Sequence, residues 1–196
     1  MEIFLIIILI ILIFYSIILH EIAHGYVAYL LGDPTAKYEG RITLNPISHI
    51  DPIGTIIFPL FTYALGGFIF GWAKPVPYNP FNLKYKTRDP ILIALAGPVT
   101  NLVLMSIFLI LLKTNFFPLF NDIFFQLIRV NLVLALFNLL PIPPLDGSKL
   151  LLLKIPLESY VILESYGFVF VFLFIYLFSE PFFHLINKIL NFLLKL

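Results

Sequence analysis

Long runs of apolar residues, separated by short polar connections, dominate the chain. A membrane-spanning helix needs about 20 mostly apolar residues. Four runs reach or approach that length: Ile3 to Leu31, interrupted by His20, Glu21 and His24; Pro90 to Leu112; Ile123 to Leu140; and Ser165 to Phe178. A fifth, Pro52 to Phe70, is broken by Gly54, Pro59, Gly66 and Gly67. Those breaks predict a re-entrant hairpin, with a simple crossing as the alternative. The final run, Phe182 to Leu194, is shorter and places His184, Asn187, Lys188, Asn191 and Lys195 on one helical stripe. That stripe predicts an amphipathic helix lying in the membrane interface. Tyr38, Ile42, Thr43 and Leu44 make Lys37–Asn45 read as a short strand.

Composition narrows the class further. Of 196 residues, 61% are apolar and only 12% charged, against about 45–50% and about 25% in soluble domains. So few charges cannot clothe a water-facing surface, which excludes a soluble enzyme, a disordered regulator and a secreted disulfide scaffold. The expected fold is an all-α polytopic membrane protein. It has about four transmembrane helices, a re-entrant hairpin, a small β element and a C-terminal amphipathic helix. A single membrane-embedded domain over residues 1–196 is expected, with a core at 3–149 and accessory helices at 150–196. The opening run has no basic leader or small-residue cleavage site and reads as a retained span.

A net charge of +1 without any Lys/Arg-rich run gives no reason to expect a nucleic-acid partner. There are no cysteines, so disulfides and thiolate metal sites are impossible. Lys37 and Arg41 follow the first span, and Lys74, Lys84, Lys86 and Arg88 precede Pro90. Such excess marks cytoplasmic loops, so Pro52–Phe70 is expected to enter and leave by that face of the cell membrane.

The chemistry concentrates in His20-Glu21-Ile22-Ala23-His24, an H-E-x-x-H motif on a helix. Residues four apart share a helix face. Two imidazoles so placed can bind one Zn²⁺, and the intervening Glu reaches the water as general base. Three ionisable groups inside an apolar span cost a few kcal/mol each and mark a functional site. The bland alternative is a buried polar cluster satisfying itself. A third ligand must be a carboxylate or a remaining histidine. Asp146 stands out, because Pro141, Pro143 and Pro144 just before it prevent regular helix at membrane depth. Irregular backbone is tolerated there only where it is buried or lines a wet cavity. The alternative is a solvated cap on a Pro-rich helix end. Asp146 and the histidines share a leaflet only if Pro52–Phe70 does not cross.

These motifs resemble the site-2 protease family of intramembrane zinc metalloproteases, the M50 peptidases. The resemblance rests on His20-Glu21-x-x-His24, on Asn138 followed by Pro-x-Pro-Pro-Leu-Asp146-Gly147, and on Ala96-Gly97-Pro98-x-x-Asn101. It implies His20, His24 and Asp146 as ligands of one Zn²⁺ per chain and Glu21 as the base. It also implies that Asn138 and Asn101 line the active site, binding substrate or the oxyanion. Local alternatives remain for both: Asn138 satisfying a nearby carbonyl, Asn101 bridging helices. The family cuts transmembrane segments of other proteins, so the implied partners are membrane-spanning substrates and the bilayer. A short form without PDZ or CBS domains is expected, its active site towards the cytoplasm. Two other functions fit the same residues: a divalent-metal transporter, or an inactive adaptor that binds membrane segments.

His49 and Asp51 read as a local turn rather than a second metal site. Trp72 suits the interface, and Arg129 is expected to snorkel to headgroups.

Overall fold

The computed structural model describes residues 2–66 and 71–195, and every regular element among them is helical. In chain order the α-helices are α1 (Glu2–Leu30), α2 (Thr35–Tyr38), α3 (Phe58–Gly66), α4 (Arg88–Thr114), α5 (Asn121–Asn138), α6 (Leu157–Ser165) and α7 (Gly167–Lys195). Four of the helical stretches are long and apolar enough to cross a membrane: Glu2–Leu30, Arg88–Thr114, Pro118–Asn138 and Gly167–Lys195. Together with its family, established below, this makes the chain a multi-pass membrane protein.

α4 is the central helix, packing on α5 and α1, while α5 also touches α1 and α7. Met105 of α4, Ile128 and Leu132 of α5, and Ile186 and Leu190 of α7 form one buried cluster. Ala28, Leu83 and Ile93 form a second at the other end of α4. The outer faces are apolar too: Ile3, Ile6 and Ile10 of α1 are exposed, as expected of side chains meeting lipid.

Three expectations need correction. The strand expected at Lys37–Asn45 does not form, and no strand occurs among the described residues. Residues 35–38 make one helical turn, and Gly40 reverses the chain at φ +62. Arg41 is buried and donates to Lys74 O (2.6 Å) and Pro75 O (3.3 Å). The neighbouring segment carries Pro75, Pro77 and Pro80, which lack the N–H groups a ladder needs.

The re-entrant hairpin is likewise unsupported. Asp51 caps a wide helical turn, Pro52–Ile57, that runs straight into the nine-residue α3, about 13 Å long at 1.5 Å per residue. The end of the expected segment, residues 67–70, lies outside the described residues. Trp72 N then donates to Gly54 O (3.0 Å), and Lys74 N to His49 O (2.9 Å). Residues 72 and 74, beyond the segment, thus lie against residues near its start, and its described part is a single short helical arm. Trp72 is packed between Phe58 (5.1 Å) and Phe168 (5.5 Å).

Thirdly, the fourth span and the interfacial helix are one rod. α7 continues through Pro181 to Lys195, because Ile186 and Leu190 find the apolar faces of α4 and α5. The buried stripe of its second half meets the bundle, leaving His184, Lys188 and Asn191 on the exposed face.

The loops at the end of α1 are fastened by Asp33, which is fully buried. Its carboxylate accepts from Thr35 N (3.2 Å), Thr35 Oγ1 (2.5 Å), Asn79 N (2.6 Å) and Asn82 Nδ2 (2.7 Å). Burial by itself raises this carboxyl, but the bonds from Thr35, Asn82 and Asn79 outweigh it and hold the group below the ordinary carboxylate value. A lowered native value contributes stability that is full above about pH 4 and is lost as the pH falls through that value. Asp33→Ala removes the acceptor of all four hydrogen bonds and is expected to cost about 3 kcal/mol at pH 7. Thermal melts in detergent check this: the gap between wild type and variant should narrow as the pH drops from 5 towards 3. A gap constant across that range would contradict it.

Candidate metal centre

The site is built where the second half of α1, the first half of α4 and the turn after α5 meet. His20 lies about 15 Å, ten residues, before the end of α1. His20 and His24 are one turn apart and present ring edges at 84° with centroids 4.7 Å apart. Across from them, the proline run ends α5 and leads into a 3-10 turn, Asp146–Leu153, that starts on Asp146. Ser148 holds this turn, donating to Leu145 O (2.6 Å) and sharing a hydrogen bond with Tyr160 OH (2.7 Å) of α6. Gly147 packs so closely on Leu139 O that no Cβ fits.

Asp146 Oδ2 lies 3.1 Å from His20 Nε2 and 3.4 Å from His24 Nε2. The three ligand atoms fall within 4.8 Å of one another. Read as ion pairs, these contacts would require a proton on both Nε2 atoms. The other nitrogen of each ring is committed to an oxygen acceptor, which fixes where the proton of a neutral ring sits. His20 Nδ1 sits 2.5 Å from Asn101 Oδ1, and His24 Nδ1 sits 2.7 Å from Ile93 O. An N–H at each Nδ1 satisfies these acceptors and leaves a lone pair at each Nε2. Asp146 Oδ2 is correspondingly buried without a hydrogen-bond donor.

With both rings neutral, three lone-pair atoms converge on one point, which is the electrostatic signature of a cation site. Tetrahedral Zn²⁺ with bonds of about 2.0–2.1 Å sets its ligand atoms about 3.3 Å apart, close to the 3.1 and 3.4 Å from Asp146 Oδ2 to the two imidazoles. Ring nitrogens tied to carbonyl oxygens on their far side are also the usual outer shell of zinc-binding histidines. The residues present therefore fit Zn²⁺, with three protein donors and one position left over.

Glu21 points to a neighbouring wall, its Oε2 accepting from Val76 N (3.0 Å) in the non-helical stretch before α4. Asn101 is fully buried behind His20 and donates to Asn131 Oδ1 (3.0 Å). Asn138 donates to Leu134 O (2.9 Å), one turn back on its own helix. His49 Nε2 meets Thr43 O (2.8 Å), and Asp51 accepts from Ile53 N and Gly54 N, a turn as the sequence implied. Asn131 and Ser16, which join the network behind His20, went unremarked in the sequence. The signal available was two polar residues inside apolar helices.

Gly97 of α4 explains how the helices come so close. A Cβ there would lie 2.5 Å from His20 Cε1, His20 Nε2 and His24 Nε2. Alanine suits a helix better than glycine, so Gly97→Ala is expected to keep the helical content. Pushing both rings off position should lower zinc affinity at least about tenfold, measured by chelator competition. Unchanged affinity would show that the rings do not hold the metal in this geometry.

Comparison with known proteins agrees with this site. Residues 8–129 match Peptidase family M50, a stretch that contains His20, Glu21 and His24 and ends before Asp146. YwhC of Bacillus subtilis (strain 168) is 44% identical over 82% of this chain and 76% of its own length. Rip2 of Mycolicibacterium smegmatis and Rip2 of Mycobacterium tuberculosis (strain H37Rv) are each 33% identical over 67% of this chain. The chain spans about half of Rip2, 51% in each case. All three relatives are provisionally named zinc metalloproteases. No solved structure matches the chain. With the family match covering more than half of its residues, the chain belongs to peptidase family M50.

Proposed function

We propose that this chain is a zinc-dependent endopeptidase that hydrolyses peptide bonds within membrane-spanning segments of other proteins. As a member of family M50 the enzyme is a metalloprotease. One observation carries the zinc reading: His20 Nε2, His24 Nε2 and Asp146 Oδ2 converge with both Nδ1 atoms spent on oxygen acceptors. The depth of His20 and His24 in an apolar helix of 29 residues supports an intramembrane substrate.

His20, His24 and Asp146 would hold the metal, which when bound supplies a Lewis acid that brings the pKa of water towards about 7 and polarises the scissile carbonyl. Glu21, the neighbour of His20, takes a proton from the attacking water. It returns that proton to the amide nitrogen as the C–N bond breaks, so the leaving group departs as a neutral amine. The Val76 amide fixes Glu21 Oε2, limiting the rotamers of the base. Asn138, the last residue of α5, would donate to the substrate or the developing oxyanion by giving up its bond to Leu134 O.

The active site would face the cytoplasm. Lys37, Arg41, Lys74, Lys84, Lys86, Arg88, Lys149 and Lys154 lie in or beside the connections at the site's end of the bundle, eight of the twelve basic side chains. That imbalance is the usual mark of the inner face.

Purified protein in vesicles, given zinc and a membrane-spanning substrate, tests this reading. Wild type is expected to cleave, with loss on chelation and return on adding zinc. Glu21→Gln should keep its zinc while cleavage falls about 10²–10⁴-fold. Equal cleavage by Glu21→Gln removes Glu21 as base, and zinc binding with no cleavage by wild type removes the protease reading.

A further inference from the structure

A row of buried amides runs away from the metal centre across three helices, and its hydrogen-bond directions are not free. At one end Asn131 Nδ2 lies 2.9 Å from Leu127 O. A carbonyl only accepts, so this must be the NH₂ end of the Asn131 amide. The second N–H of the same group reaches Ser16 Oγ (3.1 Å), whose own hydrogen is committed to Leu12 O (3.0 Å). Asn131 Oδ1 is left facing Asn101, whose Nδ2 supplies the donor at 3.0 Å. Asn101 Oδ1 then faces His20 Nδ1 at 2.5 Å and needs an N–H there. Asn101 and Asn131 are both 0% exposed, so no water competes for these positions.

We propose that Asn131 is a positioning residue for the metal centre: its amide, oriented by Leu127 O, fixes which way Asn101 points and thereby which nitrogen of His20 carries the proton. The consequence is a lone pair at His20 Nε2, aimed at His24 Nε2 and Asp146 Oδ2. If the Asn101 amide were reversed, its NH₂ would face His20 Nδ1, which would have to accept. The proton would then sit on Nε2, where a cation must bind. A backbone carbonyl of α5 thus sets, through Asn131 and Asn101, the tautomer of a ring on α1. The inference rests on the reading of His20 as a zinc ligand, but the proton's location is a property of the protein without metal.

Substituting Asn131→Leu keeps the volume and removes both the acceptor for Asn101 and the donor to Leu127 O. Ser16→Ala removes one partner of Asn131 but leaves Leu127 O, which alone still orients the amide. Metal-free protein with ¹⁵N-labelled histidine, at a pH where the His20 ring is neutral, reports the tautomer by NMR. Wild type and Ser16→Ala should both show the proton on Nδ1 of His20, whereas Asn131→Leu should show a mixture. Zinc affinity by chelator competition should fall about tenfold or more in Asn131→Leu and less than about threefold in Ser16→Ala.

A merely structural role would lower the melting temperature without moving the tautomer. Should Asn131→Leu fail to fold, Asn131→Ala and the wild-type spectrum stand in: an Nε2–H ring in wild type overturns the proposal. An unchanged tautomer in a folded Asn131 variant overturns it as well, leaving the protease reading intact. Failure of wild type to bind zinc overturns the metal reading instead.

Discussion

Three lone pairs brought within 4.8 Å of one another, two of the separations only 3.1 and 3.4 Å, repel, and in the apolar interior of a helical bundle there is little water to screen them. A cation among them turns that repulsion into attraction. That arrangement explains the features around the site. Gly97 exists as a glycine because the rings occupy the place of its side chain. The proline run stops α5 so that a carboxylate, rather than another helical turn, faces α1. Ser148 and Tyr160 then keep that carboxylate from relaxing away. Each of these is a cost accepted to hold donors in place before the metal arrives, which is what preorganisation means at a metal site.

The end of the bundle that holds the metal centre is also its most polar region. Asp33 ties the turn after α1 to the stretch before α4, and buried Arg41 grips that stretch through the carbonyls of Lys74 and Pro75. The same stretch donates the Val76 amide to Glu21. Loop, Glu21 and the helix that carries the histidines are thus one mechanical unit, and motion of residues 71–79 would be felt at Glu21. A hydrolase inside a membrane needs water at its metal, and a site near a polar, cation-rich end keeps that path short.

Much of the site was legible in the sequence because its geometry is local. A spacing of four residues puts His20 and His24 on one helix face whatever else the chain does, and three prolines before Asp146 forbid helix in any context. The pairing of these two distant segments was suggested by the proline-broken stretch before Asp146 and implied by the resemblance of both motifs to one family. What escaped depends on how the helices rotate against one another. Asn131 and Ser16 are ordinary polar residues until α1, α4 and α5 turn them towards Asn101. The strand expected at Lys37–Asn45 failed because its neighbour is rich in proline, a property of the partner rather than of the segment. The separate interfacial helix failed for a similar reason: Ile186 and Leu190 look like a lipid-facing stripe until Met105, Ile128 and Leu132 are found opposite them.

The most direct measurement is X-ray absorption at the zinc edge on the purified wild-type protein and on Asp146→Ala. One zinc per chain is expected, with a first shell of nitrogen and oxygen that includes two imidazoles. The spectrum should change, or the zinc be lost, when the carboxylate is removed. A wild-type protein that binds no zinc, or one whose spectrum and zinc content are untouched by Asp146→Ala, would contradict a centre shared between α1 and the turn after α5.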